Sequence, residues 1–357
     1  MVQTIKKVEF WNFRNYERFC LVPNKKMTVI IGKNAKGKTN IVEGIQFLTT
    51  GESFRNPSTE EVIRWGSSKA KVSFNVCENK REYEESILFE KNKDIFLNGN
   101  RKRVADIKGK MPAVLFTPDD LFIVKGSAEK RRVAIDEIGS QLSESYYRLK
   151  KDYEKVVRQR NSLLKEVVFD EKILLSWTES LVDLGIRFYR HRLNLFSLVR
   201  ERFIQIHNAL QTGEEVDLLY LPSWAPFKTE GEEDEDGMRR GLLRKSEEEH
   251  RRGITLIGPH RDEIVFLING RDARSYASQG QQRTLILAWK LAEVEVIRTI
   301  KGYPPVLLLD DVMSELDEHR RLSLLSYVNE NVQTIITTTN RGYFSKEMLK
   351  MATLIEL

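Results

Sequence analysis

The chain has 357 residues, 41% of them hydrophobic and 31% charged, and its 58 Lys and Arg outnumber 52 Asp and Glu to give a net charge of +6. That length predicts two lobes with sizeable cores and excludes a small stapled scaffold. Cys20 and Cys77 form no CxxC pair, which excludes a disulfide framework or a cysteine-rich zinc site and fits a reducing compartment. The start, Met1 to Lys7, lacks the apolar core of a secretory signal, and every apolar run is far shorter than the ~18 residues a membrane span needs. A cytoplasmic protein without a membrane partner is expected.

Along the chain, Ile5 to Phe10, Phe19 to Val22 and the continuously apolar Met27 to Ile31 read as strands, broken by the polar Asn12-Phe13-Arg14-Asn15. A helix should follow, because Ile41, Val42, Ile45 and Leu48 fall on one face. Alternation over Val72–Val76 and Ser86–Phe89, with an Asn98-Gly99 turn beyond, predicts antiparallel hairpins. From about Asp119 to Leu210 long charged segments at helix period replace this pattern, with few Gly or Pro. The acidic stretch 229–237 reads as an exposed loop. Sheet pattern resumes near Ile254, with a hairpin turn at Asn269-Gly270, and continues through the apolar runs Val306–Leu309 and Thr334–Thr338. The expected division is therefore 1–118 and 251–357 in one mixed-sheet lobe, with 119–250 inserted as a mainly helical lobe.

Gly32-Lys33-Asn34-Ala35-Lys36-Gly37-Lys38-Thr39 satisfies the phosphate-loop pattern G-x-x-x-x-G-K-[ST] at every fixed position. Its setting between a buried strand and an amphipathic helix allows backbone N–H groups to surround phosphate oxygens at the positive end of the helix. Lys38 would reach the β and γ phosphates of ATP, and Thr39 would coordinate Mg²⁺. A second element, Val306-Leu307-Leu308-Leu309-Asp310-Asp311, is an apolar strand ending in two carboxylates. Ligands of parallel sheets bind at such strand ends, where Asp310 would meet the metal and Asp311 would polarise an attacking water. The same two residues also suit a helix N-cap with a solvated neighbour.

Ser278-Gln279-Gly280-Gln281-Gln282-Arg283 precedes a helix with Leu285, Trp289, Ala292 and Val296 on one face. Ser278 and Gln281 have capping-box spacing, and a helix start is also an anion site. Placed before the carboxylate strand, Ser278, Gln279, Gly280 and Gln281 resemble the signature motif of ABC-type ATPases, which contacts the γ-phosphate held by a second subunit. Ser314-Glu315-Leu316-Asp317 resembles the D-loop of the same ATPases.

Together these strings resemble the RecF family of bacterial recombination mediators, ABC-type ATPases related to the SMC proteins. The likeness extends over Asn12-Phe13-Arg14-Asn15-Tyr16, Gly51-Glu52-Ser53-Phe54-Arg55, Val124-Lys125-Gly126, Arg131-Arg132 and Gly258-Pro259-His260-Arg261-Asp262, so it covers nearly the whole chain. It implies an α/β P-loop NTPase of ABC type, with ATP and Mg²⁺ as cofactors and slow ATP hydrolysis. It also implies an ATP-dependent homodimer that binds double-stranded DNA and single-strand/duplex junctions, working with RecR, RecO and RecA at gaps. Arg55 resembles the arginine that approaches the γ-phosphate in SMC heads, and a surface arginine is its other reading.

Two departures from the wider ABC pattern stand out. No switch histidine follows the last apolar strand, which ends Thr337-Thr338-Thr339-Asn340, so weak hydrolysis is expected. No Q-loop glutamine is evident near Phe116 to Asp120. His260 and His319 have no partnered Ser or Cys nucleophile and read as structural. Basic clusters at Arg101-Lys102-Arg103, Lys130-Arg131-Arg132, Lys150-Lys151 and Arg187 to Arg192 read singly as solvated faces and jointly as a surface that could track phosphates. The stretch from Thr39 to Ser278 is too short for an SMC coiled coil, and a nuclease domain after Asp311 is not expected. A transporter ATPase subunit is the remaining alternative, and duplex-DNA binding separates it from the mediator.

Overall fold

A computed structural model describes residues 3–78, 81–166, 170–210, 213–328 and 332–357; the first two residues of the chain start read above lie outside it, as do three within the helical stretch. The chain divides into two compact units, 1–121 with 286–357 and 122–285.

The first unit is built from two sheets. One is antiparallel with six strands, in the order Tyr16–Leu21, Gln3–Phe13, Ala70–Glu78, Arg81–Phe89, Lys93–Leu97, Asn100–Lys102. The other is parallel with five, in the order Thr353–Glu356, Met27–Ile31, Thr334–Thr338, Val306–Asp310, Ala113–Phe116. The strands Val306–Asp310 and Thr334–Thr338 are buried at every residue, both faces of the sheet being covered. The helix Lys38–Thr50 shares one hydrophobic cluster with both sheets, Ile41, Val42, Ile45 and Leu48 meeting Val8, Phe10 and Val72 from one and Ile30, Leu308 and Ile335 from the other. The approach is close: a Cβ on Gly44 would fall 2.4 Å from the Phe10 ring. Gln333 ties the two sheets, accepting from the Ile5 amide at 2.7 Å and donating to the carbonyls of Ile5 and Asn24, each at 2.9 Å. Both expected Asn-Gly hairpin turns form, with positive φ at Asn98, Gly99, Asn269 and Gly270 as a type I′ turn requires.

The second unit holds the helices Ala128–Leu142, Glu144–Leu163, Glu171–Ala209 and Asp234–Arg252. It also holds a three-stranded antiparallel sheet, Arg271–Asp272, Glu263–Ile268 and Val216–Leu221. That sheet explains why the observed unit runs to residue 285 where the pattern suggested 250: the strand Glu263–Ile268 pairs with Val216–Leu221 of the insertion. The acidic stretch 229–237 is not wholly a loop. Asp234, Glu235 and Asp236 form the first turn of the helix Asp234–Arg252, where carboxylates are favoured by the helix dipole, and Gly237 and Met238 are buried.

Candidate functional site

The strand Met27–Ile31 runs into a loop whose backbone turns left-handed at Ala35 and at Gly37, φ 65° and 93°. Gly37 is the N-cap of the helix Lys38–Thr50 and supplies no side-chain cap, so the first amides keep no side-chain acceptor and stay available to an anion. Any Cβ at Gly37 would lie 2.5 Å from the Asn15 amide nitrogen and 2.9 Å from the Tyr16 hydroxyl. Both of those groups reach the Lys36 carbonyl, at 3.4 Å, and Asn15 accepts from Asn40 at 2.8 Å, so the string Asn12 to Tyr16 braces the loop from outside.

Lys38 is buried, and its Nζ donates to the carbonyls of Gly32 at 2.8 Å and Lys33 at 3.2 Å, with Asp311 Oδ2 3.9 Å away. Asp310, at the end of the buried strand, accepts from the Thr337 hydroxyl at 2.6 Å and from the Thr39 hydroxyl, while burial pushes its carboxyl above the usual range. Asp311 turns left-handed at φ 56°, anchored by its N–H donating to Thr337. Its Oδ1 is buried without a hydrogen-bond partner. Lys38, Thr39, Asp310 and Asp311, singled out from two distant strings, thus meet in one place, held by one helix and by the parallel strands Met27–Ile31 and Val306–Asp310, with Thr334–Thr338 between them.

Sequence reasoning missed the support of this site. Glu43, fully buried in the helix Lys38–Thr50, accepts from Arg14 Nε at 2.9 Å and Nη2 at 2.6 Å, from Ser53 at 2.7 Å and from Arg55 at 3.4 Å. Arg55 also donates to Asn40 at 2.9 Å and lies close enough to lower the Asp310 carboxyl. Glu43 therefore gathers the strings Asn12–Tyr16 and Gly51–Arg55 onto the helix of the phosphate loop. The available signal was a carboxylate beside the apolar Ile41, Val42 and Ile45.

In the second unit Ser278 and Gln281 form the expected capping box, the Gln281 N–H donating to Ser278 Oγ at 3.2 Å and the Ser278 N–H to Gln281 Oε1 at 2.6 Å. Gln279 and Gly280 open the helix Gln279–Lys301, and Gln281 donates to Glu214 at 2.7 Å. The Gly258 to Asp262 string belongs to a buried polar network: His260 Nδ1 meets the Tyr153 hydroxyl at 2.6 Å and its Nε2 the Thr255 carbonyl at 3.1 Å, while Asp262 accepts from Tyr220 at 2.6 Å and the Ser223 N–H at 2.8 Å. Burial pushes the His260 imidazole down to about 3, consistent with a neutral structural ring. Two members of the basic clusters are also structural. Arg131 donates to the carbonyls of Ile123, Val124 and Gly126, and Arg192 is held by both oxygens of Asp136, so neither is a solvated face or free for DNA. Lys130, Arg187, Arg190 and His191 stay exposed.

A phosphate loop whose lysine and threonine meet two carboxylates at the end of a parallel strand of the same sheet, one strand removed, with an antiparallel sheet across the helix, defines an ATPase head of the ABC type. The Smc head domain of Pyrococcus furiosus shares this fold, with a TM-score of 0.56 at 17% identity over 99% of this chain and 93% of that one. The chain belongs to the RecF branch of the family described as RecF/RecN/SMC N terminal domain, which matches residues 4–355. It is 35% identical to the DNA replication and repair protein RecF of Halalkalibacterium halodurans over 360 residues, 99% of this chain and 97% of that protein. To the RecF of Symbiobacterium thermophilum it is 39% identical over 336 residues, 92% of this chain and 89% of that one. The solved recombination mediator protein RecF-ATPrS of the RecFOR pathway superposes with a TM-score of 0.90 at 30% identity, covering 100% of this chain and 96% of that chain. Among the described residues no helix is long and apolar enough to cross a membrane.

Proposed function

We propose that this protein is an ATP-binding recombination mediator of DNA replication and repair, whose ATP-bound homodimer clamps double-stranded DNA and single-strand/duplex junctions. In this reading it helps RecR and RecO load RecA at gaps, and slow, DNA-stimulated hydrolysis of ATP resets it. The observation that carries the ATPase part is the set of partners at the loop: Lys38 hydrogen-bonded to carbonyls of its own loop and 3.9 Å from Asp311 Oδ2, with Asp311 Oδ1 buried and unpartnered beside it. The relatives' names support the mediator role.

The backbone amides of Gly32 to Thr39 take the phosphates, and Lys38 leaves the Gly32 and Lys33 carbonyls for the β and γ oxygens. Thr39 and Asp310 are hard oxygen donors already in contact and would hold Mg²⁺, which supplies charge neutralisation between the phosphates. Asp311 orients the attacking water. Ser278, at the start of a helix, contacts the γ-phosphate bound by the other copy, and Arg55 approaches the γ-phosphate bound by its own chain. Exposed Lys130, Arg187 and Arg190 contribute to a sequence-independent phosphate contact.

Sedimentation with and without ATP and duplex DNA tests this reading. A dimer that forms only with ATP, and whose DNA binding weakens steeply with salt, is expected. Ser278→Arg should abolish ATP-driven dimerisation while leaving monomer ATP binding intact, at a stability cost near the ~1 kcal/mol of a lost cap. A Ser278→Arg protein that still dimerises reduces Ser278 to a capping residue and removes the composite site.

A further inference from the structure

The second unit carries a pocket that the proposed mechanism leaves without a task. Its volume is about 370 Å³, within the range of small-molecule sites. Ile268, Ala273 and Ala277 give it an apolar lining, and Asn269 and Gln281 bring side-chain amides. Arg271 and Tyr276 complete it, the guanidinium lying 5.9 Å from the ring centroid. Tyr276 is 72% exposed, so its ring face is open to a ligand. Its backbone is fixed: the strand pairing Ile268 with Arg271 ends in the helix Ala273–Tyr276, which Asp272 caps by accepting from the Arg274 N–H at 2.8 Å.

This combination suits a planar heteroaromatic. An exposed phenol ring beside a guanidinium offers stacking and cation–π contact to a base, and the Asn269 carboxamide can bond to a purine's edge, whereas that of Gln281 is held by Ser278 and Glu214. The pocket is continuous with the start of the signature helix, since Gln281 lines it and also closes the capping box with Ser278. We propose that the pocket receives the purine base of the ATP whose phosphates are held by the P-loop of a second copy. Tyr276 and Arg271 then select the nucleotide in trans while Ser278 meets its γ-phosphate. The inference rests on the reading that ATP joins two copies through Ser278.

Two broken chains test it. Lys38→Ala retains the pocket and loses its own phosphate grip, whereas Ser278→Arg retains the P-loop and loses the signature contact, so their mixture can build one composite site only. With 8-azido-ATP as photolabel, the expected result is a label on the 271–281 stretch of the Lys38→Ala chain that appears only in the mixture. Tyr276→Ala should weaken wild-type dimerisation in ATP roughly tenfold with monomer ATP affinity unchanged, and Tyr276→Phe should restore it. Label confined to the Ser278→Arg chain in a mixture that sediments as a dimer overturns the trans pocket while leaving the dimer standing. Label on the Lys38→Ala chain in the absence of the Ser278→Arg chain makes the pocket a site for free nucleotide and equally overturns the proposal. A wild-type protein that stays monomeric in ATP removes the dimer reading itself, and the pocket's role with it.

Discussion

Arg192 in the second unit and Lys38 in the first are both buried cations, 2% and 5% exposed, and their surroundings differ in kind. Arg192 grips both oxygens of Asp136 at 2.9 Å, donates to the Pro259 carbonyl at 2.6 Å and to the Tyr220 hydroxyl at 3.1 Å, and Tyr146 adds a bond to Asp136 at 2.7 Å. Arg160 is held in the same way by Glu249 at 2.6 Å and Thr255 at 2.9 Å. Lys38 has two carbonyls of a loop that folds around it, and the neighbouring carboxylate keeps one oxygen unbonded. A closed polar network fixes a fold, whereas a buried ion with provisional partners marks the place where a ligand completes the set.

The comparison can be broken most severely at Arg192. Arg192→Met leaves the buried Asp136 carboxylate with only the Tyr146 hydroxyl and, at 3.9 Å, the Lys150 ammonium, and should cost about 3 kcal/mol in urea unfolding; a loss below about 1 kcal/mol would show that the network is not holding the unit together. Next in size is Asp311→Asn, which should bind ATP yet turn it over about 100-fold more slowly or worse, because an amide cannot act as the base that orients water. Wild-type turnover would move that role to another group. Lys38→Ala should unfold at nearly the wild-type urea concentration without nucleotide, but should lose the ~2.7 kcal/mol that ATP at a hundred times its Kd confers on the wild type. Equal stabilisation by ATP in both proteins would remove the phosphate-loop assignment.

The smallest effect concerns pH. His260 faces the Tyr153 hydroxyl and the cations Arg132, Arg192 and Arg261, and burial holds its imidazole near 3 in the folded chain, against an ordinary value near 6.5 when unfolded. The unfolded chain therefore takes up a proton first. Stability is complete above about pH 6.5 and falls as the pH drops toward 3, by about 1 kcal/mol at pH 5.5. His260→Gln should flatten that part of the profile in paired urea melts at pH 7.5 and 5.5, and an unchanged slope would assign the acid sensitivity elsewhere.

What the sequence disclosed was whatever is local. The phosphate loop is one contiguous string, the strands ending at Ile31 and Asp310 are continuous apolar runs, and the Asn-Gly turns follow from the left-handed backbone that hairpins demand. Partnerships across the fold were hidden. Glu43 draws on Arg14, Ser53 and Arg55, which no periodicity connects to it. The strand Val216–Leu221 lay unrecognised behind a long helical stretch because its sheet partner, Glu263–Ile268, stands far along the chain. The segment 229–237 was misread for a different reason: acidic residues without apolar neighbours describe a solvated loop and the first turn of a helix equally well. The basic clusters were ambiguous because charge alone does not distinguish an exposed Arg190 from an Arg192 sunk into an ion pair.

The left-handed backbone at Asp311 limits which alleles of this protein can exist. Most side chains are disfavoured at that φ, while Asn, Asp and Gly are accommodated. Lengthening the carboxylate to Glu would combine a strained backbone with a displaced charge, so the reach of the group is set by the main chain as much as by the side chain. Asp codons become Asn or Gly codons through a single transition, while Glu needs a transversion. The variants reached by a transition therefore keep the turn and discard the carboxylate, and under the mechanism proposed above they should fold, bind ATP without hydrolysing it and inhibit the intact chain in mixed dimers.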